Sequence, residues 1–323
     1  YKVRPDKYLL TCTQKRNIMN HIVILEAPVN LGLIEPAPGK EPGVKKLPAF
    51  LRSEGFYKML NAEQIIAIPA PAYGMEYDSI SGVRNADKIS AYSKQIAGQL
   101  RDTVKNGKFP MVIGGDCSVL IGCMLGLKSI GDYGLFFIDG HTDFVMPHGS
   151  FTKGAAGMDL AIVTGNGHDK LTDIDHQKPY VRESHVLAFG NRFMEKEYVD
   201  EIVNSDIHYE DLKSIRKKGI HQIVDRFLTM VREADLNGIW IHLDVDVLDS
   251  LIMPCVDSPQ PDGLSYEELK EAIKLLLQSK IVSGINIGIL DPDRDPDGKY
   301  GEVFVHEMVS LFSGDFHFPI YKP

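Results

Sequence analysis

Short runs of consecutive apolar residues alternate along this chain with longer stretches in which apolar and polar residues are mixed. The runs that read as strands are His21–Leu25, Met111–Ile113, Leu135–Ile138, Val186–Phe189, Ile239–Ile241 and Ile285–Ile289. A run of consecutive apolar residues is typical of a strand buried on both faces. Because these strands alternate with helical stretches, they predict an α/β fold whose mainly parallel sheet is covered on both sides.

Helical spacing is clearest from Val83 to Asn106, where apolar residues recur at intervals of three or four. A second helix is expected from Ile220 to Ala234, and a third from about Tyr266. Ser265 before the third helix and Glu268 three residues later predict a capping box.

The chain reads as one domain, because no repeat, low-complexity segment or linker divides residues 19–323. Two segments, Pro28–Gly43 and Val145–Gly157, are expected to be loops. Met19 stands just before the first strand. Residues 1–18 are therefore interpreted as an N-terminal extension, either native or left over from cloning.

The amino-acid composition argues against several classes of function. A formal net charge of -9 argues against a nucleic-acid or anionic-membrane partner. No apolar run approaches the roughly 20 residues that a membrane span needs. Four cysteines in 323 residues form no secreted disulfide framework, so the expected location is the cytoplasm.

Polar clusters follow three of the predicted strands. They are Gly114-Gly115-Asp116-Cys117-Ser118, Asp139-Gly140-His141-Thr142-Asp143 and Asp244-Val245-Asp246. In parallel sheets ligands lie beyond the carboxyl ends of the strands, so the clusters are expected to meet. A lone Asp-x-Asp is more often a cap or a turn. Carboxylates gathered with an imidazole would repel one another without cations, so the three clusters together predict a site for divalent metal.

These clusters, together with the segments Gly263–Tyr266 and Ser283–Ile287, resemble the arginase/agmatinase (ureohydrolase) family over about residues 20–315. The resemblance implies a three-layer α/β/α fold, a pair of Mn²⁺ ions and a hydroxide between them that attacks a guanidinium or amidine carbon. It also implies the ligands. Asp139 and Asp244 would bridge the metals, His141 and Asp246 would complete one site, and Asp143 with Cys117 the other. Asp143 would also position the hydroxide.

The chain departs from the family pattern at the first metal motif, where Cys117 replaces the usual His. A thiolate is a softer ligand, so this half-site is expected to bind Mn²⁺ weakly or to hold another divalent metal. The alternative is that Cys117 is a small buried residue without a metal contact. His242 takes the place of the family's usual Ser, and it is a candidate for a role behind the metal ligands.

The residues expected in the substrate pocket depart further from the family pattern. Counted without gaps, Ala156 stands where arginases carry a proton-shuttling His, and Thr152 where they carry a serine contact. Ile289 and Phe193 align with acids, and Ser258 is a further expected pocket residue. Burying a guanidinium beside Ile289 without a carboxylate would be costly, so arginine itself is not the expected substrate.

Two functions from different classes follow. The first is a metal-dependent hydrolase that cleaves linear C–N bonds in a guanidino- or amidino-type small molecule. The alternative is a metal-binding pseudoenzyme or regulatory subunit with the same fold. For either function the family resemblance suggests a homo-oligomer, a trimer or a hexamer.

Overall fold

The computed structural model describes residues 16–321. Residues 1–15 of the expected N-terminal extension lie outside this range. Arg16 and Asn17 pair in an antiparallel manner with Phe318 and His317, so the first described residues lie against the C-terminal part of the chain.

The secondary structure has the following bounds. The strands in the described chain are β1 (Arg16–Asn17), β2 (Ile22–Ala27), β3 (Gln64–Ala67), β4 (Tyr77–Asp78), β5 (Val83–Arg84), β6 (Phe109–Gly114), β7 (Gly134–Ile138), β8 (Val186–Phe189), β9 (His208–Glu210), β10 (Ile239–Asp244), β11 (Val282–Gly288) and β12 (His317–Phe318). The α-helices are α1 (Leu47–Ser53), α2 (Phe56–Met59), α3 (Ala86–Lys105), α4 (Val119–Lys128), α5 (Asp159–Val163), α6 (Asp169–Thr172), α7 (Lys196–Val203), α8 (Leu212–Lys218), α9 (Ile220–Glu233), α10 (Tyr266–Gln278) and α11 (Lys299–Phe312).

Eight strands form one central sheet in the order β3-β2-β6-β11-β10-β7-β8-β9. Every neighbouring pair in it is parallel. The six strands predicted from apolar runs are β2, β6, β7, β8, β10 and β11, so the prediction of a parallel sheet is confirmed. The two edge strands were not predicted. Gln64, Ile65 and Ala67 of β3 are exposed, so this strand has no continuous apolar run.

Helices cover both faces of the sheet, as predicted for a three-layer α/β/α fold. Alternate residues of each strand point to opposite faces, so Ile22 and Ile24 pack in one core and Val23 and Leu25 in the other. The first core also receives side chains from α1, α2, α8, α9, α10 and α11. The second is filled mainly by α3, α4 and α5. The central strands are therefore buried on both sides, which accounts for their uninterrupted apolar sequence.

Local signals account for the helix ends. The predicted capping box is present, since Ser265 Oγ accepts from the Glu268 N–H and the Glu268 side chain accepts from the Ser265 N–H. Helix α3 begins three residues later than predicted, because Val83 and Arg84 pair instead with β4. Among residues 16–321 no helix has both the length and the apolar character needed to cross a membrane.

Candidate metal centre

The predicted metal ligands lie at the carboxyl ends of strands that are neighbours in the sheet. Asp139 follows β7 and Asp244 ends β10, which is the next strand. Cys117 follows β6, and β11 separates it from β10. Cys117, Asp139 and Asp244 are all more than nine-tenths buried. The sheet therefore gathers the three polar clusters at one edge.

One half of the centre is built around His141. The His141 Nδ1 lies 3.0 Å from Asp246 Oδ2, and the His141 N–H donates to Asp139 Oδ1 over 2.6 Å. The Gly140 N–H donates to the other oxygen of Asp246, over 3.1 Å. Ligand atoms from Asp139, His141 and Asp246 lie within 4.8 Å of one another, a spacing that could hold a metal ion.

The other half contains Cys117. Its Sγ donates to Asp244 Oδ2 over 2.9 Å, and Asp244 Oδ1 accepts from the Asp246 N–H over 2.7 Å. Ligand atoms of Cys117, Asp139 and His242 form a second group within 4.8 Å that could hold a metal. Asp139 thus belongs to both groups. Asp143 belongs to neither, although it lines the adjoining cavity.

Backbone strain marks two positions of the site. Asp143 has a φ of 43°, and Ile289, just after β11, has a φ of 74°. Positive φ is unfavourable for most residues with a Cβ and especially for β-branched ones. The Ile289 N–H donates to the Gly115 carbonyl over 2.7 Å, which helps to hold this conformation. Such strain tends to collect at functional sites.

Three of the four carboxylates of the centre are poorly compensated by the protein itself, whereas His141 and Arg192 outweigh burial and lower the pKa of Asp246. Burial, together with the charge of Asp246, raises the pKa of Asp139 to about 6, and burial raises the pKa values of Asp143 and Asp244 well above their usual range. Asp139 Oδ2 is buried and has no hydrogen-bond partner. Divalent cations would supply the missing positive charge and ligate this oxygen, so the donor set fits a metal centre.

Two buried polar residues at the centre stand outside the expected ligand set. Asp159 begins α5, is fully buried and has no hydrogen-bond partner on either carboxylate oxygen. Burial, with the charges of Asp143 and Asp139, raises its pKa well above the usual range. His242 is expected behind the ligands, and one of its ring nitrogens lies in the second metal-sized group while its Nδ1 accepts from Asn286 Nδ2 over 2.8 Å. Asp159 gave no signal in the sequence, because no ligand spacing relates it to the three clusters.

A cavity of about 560 Å³ opens at the centre. All five residues expected in the substrate pocket line it, namely Thr152, Ala156, Phe193, Ser258 and Ile289. Four acidic residues that sequence reasoning missed line it as well, namely Glu195, Glu197, Glu201 and Asp257. No Lys or Arg side chain is among the lining residues of the described chain. The cavity is therefore strongly acidic and suited to a positively charged molecule.

Tyr198 of α7 is a further cavity residue that was not predicted. Its hydroxyl oxygen accepts from the Thr142 N–H over 3.0 Å, and its ring packs edge-to-face on Phe193 at 5.0 Å between centroids. Burial, with the charge of Asp143, raises the pKa of Tyr198, so the phenol keeps its proton at neutral pH. The O–H hydrogen remains available for a ligand in the cavity.

The metal-free protein is expected to lose stability as pH rises from about 4 to 7. Asp139, with a pKa near 6, retains a proton in the folded state that the unfolded chain releases. His141 acts in the same direction at higher pH, because Asp246 and Asp139 outweigh burial and raise its pKa. The lowered pKa of Asp246 acts oppositely, but only below its usual value of 3.8.

Thermal melting with a chelator at pH 5 and pH 7 measures this effect, and Asp139→Asn is the matched control, which should show a smaller difference. With saturating divalent metal the protein should instead melt at a higher temperature at pH 7 than at pH 5, because bound cations keep the carboxylates ionised. A chelated wild type that melts higher at pH 7 would contradict the expectation.

Comparisons with known proteins agree with this architecture. The family model described as the arginase family matches residues 21–312. The arginase of Staphylococcus aureus strain COL is 28% identical over 251 residues, which are 77% of this chain and 82% of that protein. The arginase of Bacillus caldovelox is 27% identical over 301 residues, 91% of this chain and 98% of that protein. A solved structure of the Bacillus caldovelox arginase aligns with a TM-score of 0.81 and 26% identity, covering 91% of this chain and 99% of the other. The sequence motifs, the parallel sheet and the family match agree, and this chain belongs to the arginase family.

Proposed function

We propose that this chain is a metal-dependent hydrolase that cleaves a linear C–N bond in a guanidino- or amidino-type small molecule. The observation that carries the proposal is the buried cluster of carboxylates around Asp139 and Asp244, which opens into a cavity of about 560 Å³. A cluster of this kind is unfavourable unless cations occupy it. Its place at the carboxyl ends of parallel strands is where such folds bind their ligands.

The metals of the proposed enzyme are two divalent cations per chain, with Mn²⁺ at the His141 half. Side chains proposed to hold them are Cys117, Asp139, His141, Asp143, Asp244 and Asp246. A pair of divalent cations supplies hydroxide near neutral pH by lowering the pKa of bound water. Carboxylate and imidazole suit Mn²⁺, whereas the thiol of Cys117 suits a softer metal.

The proposed substrate is a cation without a carboxylate group. Acidic side chains line the cavity, and no Lys or Arg side chain of the described chain does. Away from the metals, an α-amino acid such as arginine would place its carboxylate beside these acidic side chains without a Lys or Arg to pair with it. Asp257 is proposed to pair with the cationic group of the substrate, because Ile289 stands where the family has an acidic residue. Burial raises the pKa of Asp257 although Arg294 Nη2 lies 3.9 Å from its Oδ1, and a bound cation would favour its ionised form.

Two residues are proposed to orient the reacting groups. The Asp143 carboxylate lies at the cavity and would accept a hydrogen bond from the attacking nucleophile. The Tyr198 O–H, which also lines the cavity, would donate a hydrogen bond to the substrate nitrogen that leaves, since Ala156 has no proton-carrying group.

A substrate screen on protein loaded with Mn²⁺ or Zn²⁺ tests the proposed function. Guanidines, hydroxyguanidines, formimino compounds and acyl-amines are compared, each with and without a distal ammonium or carboxylate. The expected result is metal-dependent turnover that is fastest for cationic amidines. Two metals per chain without turnover of any compound would favour the metal-binding pseudoenzyme or regulatory subunit. A cytoplasmic homo-oligomer remains the proposed setting for either function.

Replacing Asp257 by asparagine is expected to raise KM for a cationic substrate roughly 10- to 100-fold, with kcat little changed. The range corresponds to the loss of one charge-assisted hydrogen bond. The matched control is Asp262→Asn, which removes an exposed carboxylate that pairs with Arg216 outside the cavity. An unchanged KM in the Asp257 variant would show that the cationic group binds elsewhere.

Replacing Cys117 by histidine is expected to raise Mn²⁺ occupancy of the Cys117 half-site, because imidazole is the better ligand for this hard metal. Elemental analysis of wild type and variant after equal exposure to Mn²⁺ measures the change. Cys123 is also buried and free but lies within α4, so Cys123→Ser is the matched control. Equal Mn²⁺ content in wild type and the Cys117 variant would place the thiol outside the ligand set.

A further inference from the structure

His141 is the one imidazole of the predicted ligand set, and its ring has to be oriented for one nitrogen to reach a cation. Its Nδ1 lies 3.0 Å from Asp246 Oδ2 and 3.6 Å from Asp139 Oδ1. Nδ1 is therefore the ring nitrogen that faces the other ligands of this half. Its Nε2 lies 3.2 Å from the side-chain amide of Gln260, which belongs to the segment between β10 and α10.

The position of the ring proton decides what the Gln260 amide does. A nitrogen that ligates a metal carries no hydrogen, so a cation at Nδ1 fixes the proton of the neutral imidazole on Nε2. Nε2 is then a donor and requires an acceptor. Within the described chain, Gln260 is the only hydrogen-bond partner of Nε2. A half-turn of the amide group exchanges its nitrogen and its oxygen, which places Oε1 beside Nε2 as that acceptor.

The backbone of Gln260 is held in place by the same half of the centre. Its carbonyl oxygen accepts a hydrogen bond from Arg192 Nη2 over 3.2 Å. The same Nη2 donates to the carbonyl oxygen of Asp246 over 2.7 Å, so Arg192 joins the Gln260 segment to the backbone of a ligand residue. Pro259 and Pro261 flank Gln260 and restrict its backbone further. The amide is therefore presented to the imidazole from a fixed backbone.

We propose that Gln260 is a positioning residue for the His141 half of the centre. Its Oε1 accepts a hydrogen bond from the Nε2–H of His141, orients the ring so that Nδ1 faces the cation, and raises the basicity of Nδ1. Removing an outer partner of this kind typically weakens metal affinity roughly 10- to 100-fold. This role rests on the metal centre of the proposed function, but it is measured by metal binding rather than by turnover.

Calorimetric titration with Mn²⁺ tests this role, and the His141 half is the tighter of the two proposed Mn²⁺ sites. Gln260→Met removes the acceptor but keeps a side chain of similar size, and it is expected to weaken the tighter site roughly 10- to 100-fold. Gln260→Glu restores an acceptor and should bind Mn²⁺ at least as tightly as the wild type. Gln222→Met, which changes an exposed glutamine of α9, is the matched control and should leave the affinity unchanged.

Nuclear magnetic resonance distinguishes an oriented hydrogen bond from space filling. In ¹H–¹⁵N spectra of protein loaded with diamagnetic Zn²⁺, one imidazole should have a metal-bound Nδ1 and a slowly exchanging proton on Nε2. His141→Ala should lack this signal, which assigns it. In Gln260→Met the Nε2 proton should exchange much faster, because it has lost its acceptor.

Wild-type Mn²⁺ affinity in Gln260→Met would overturn the positioning role. The absence of a slowly exchanging Nε2 proton from the metal-loaded wild type would overturn it as well, and that measurement needs no Gln260 variant to fold. Melting in chelator separates a folding defect of Gln260→Met from a binding defect. Failure of every substrate in the screen, with Mn²⁺ binding and its dependence on Gln260 intact, would overturn only the proposed hydrolysis.

Discussion

Asp139→Asn is expected to abolish binding of both metals and to lower turnover at least roughly a thousandfold, since metal catalysis contributes several kcal/mol. Asp139 belongs to both groups of ligand atoms, and its Oδ2 has no partner within the protein. An amide of the same size keeps the hydrogen bond that Oδ1 accepts but removes the negative charge. Elemental analysis together with initial rates on the substrate identified in the screen measures both losses.

The same replacement should leave the metal-free fold intact, because it removes a buried, uncompensated carboxyl group. Its melting temperature in chelator is therefore expected to equal or exceed that of the wild type. Asp225→Asn, which changes an exposed residue of α9, is the matched control for metal content and rate. Full metal content in the Asp139 variant would contradict the proposed sharing of this carboxylate.

Gly115→Ala is expected to lower the free energy of unfolding by about 3 kcal/mol or more, a large value for added core volume. A Cβ on Gly115 would lie 1.7 Å from the carbonyl oxygen of Val29. That carbonyl accepts the Asp116 N–H over 3.1 Å, and the Gly115 carbonyl accepts the Ile289 N–H. The backbone cannot move away without breaking these bonds and displacing Cys117, so metal content should fall as well.

Chemical denaturation in the presence of a chelator measures this loss apart from any effect of metal. Gly98→Ala is the matched control, because a Cβ there meets nothing within 4 Å and the residue lies inside α3. Alanine is the better helix former, so the control should gain about 0.5 to 1 kcal/mol. Equal unfolding free energies for Gly115→Ala and the wild type would show that this close approach can relax.

The sequence predicts the central strands well, because a strand that is buried on both faces consists mostly of consecutive apolar residues. Strands β7 and β10 are covered on both faces. Apolar residues predominate in both, with only His242 interrupting them in β10, and ligand-type residues stand at the end of each strand. The edge strands β3 and β9 have no such apolar run. Each has a neighbouring strand on one side only. Pairing with β2 and β8 decides their structure, and pairing is not visible in a local pattern.

Part of the candidate site can likewise be predicted from the sequence, and part of it cannot. Asp139, His141 and Asp143 are spaced by two and follow one strand, so the chain alone predicts that they share a direction. Ligand atoms of Asp139 and His141 do lie together, whereas Asp143, with its positive φ, belongs to neither group. Asp159 and Asp257 come to the centre from separate loops and helices, and only tertiary packing brings them there.

The substrate pocket is an example of a site that the sequence predicts only in part. The apolar residue at Ile289 suggested a pocket without a carboxylate for a cation, and Ile289 does line the cavity. Glu195, Glu197 and Glu201, which lie in or just before α7, contribute carboxylates from another direction. Exclusion of arginine therefore rests on its carboxylate group rather than on its guanidinium group. This remains a proposal that the substrate screen tests.

The most direct test of the metal centre is anomalous X-ray diffraction from crystals grown with Mn²⁺ and Zn²⁺, recorded at the absorption edge of each metal. The expected result is two cations per chain at the ends of β7 and β10, both within ligating distance of Asp139. Manganese should lie beside His141, and the cation of a softer metal such as zinc beside Cys117. No ordered cation at these strand ends, with both metals in excess, would contradict it.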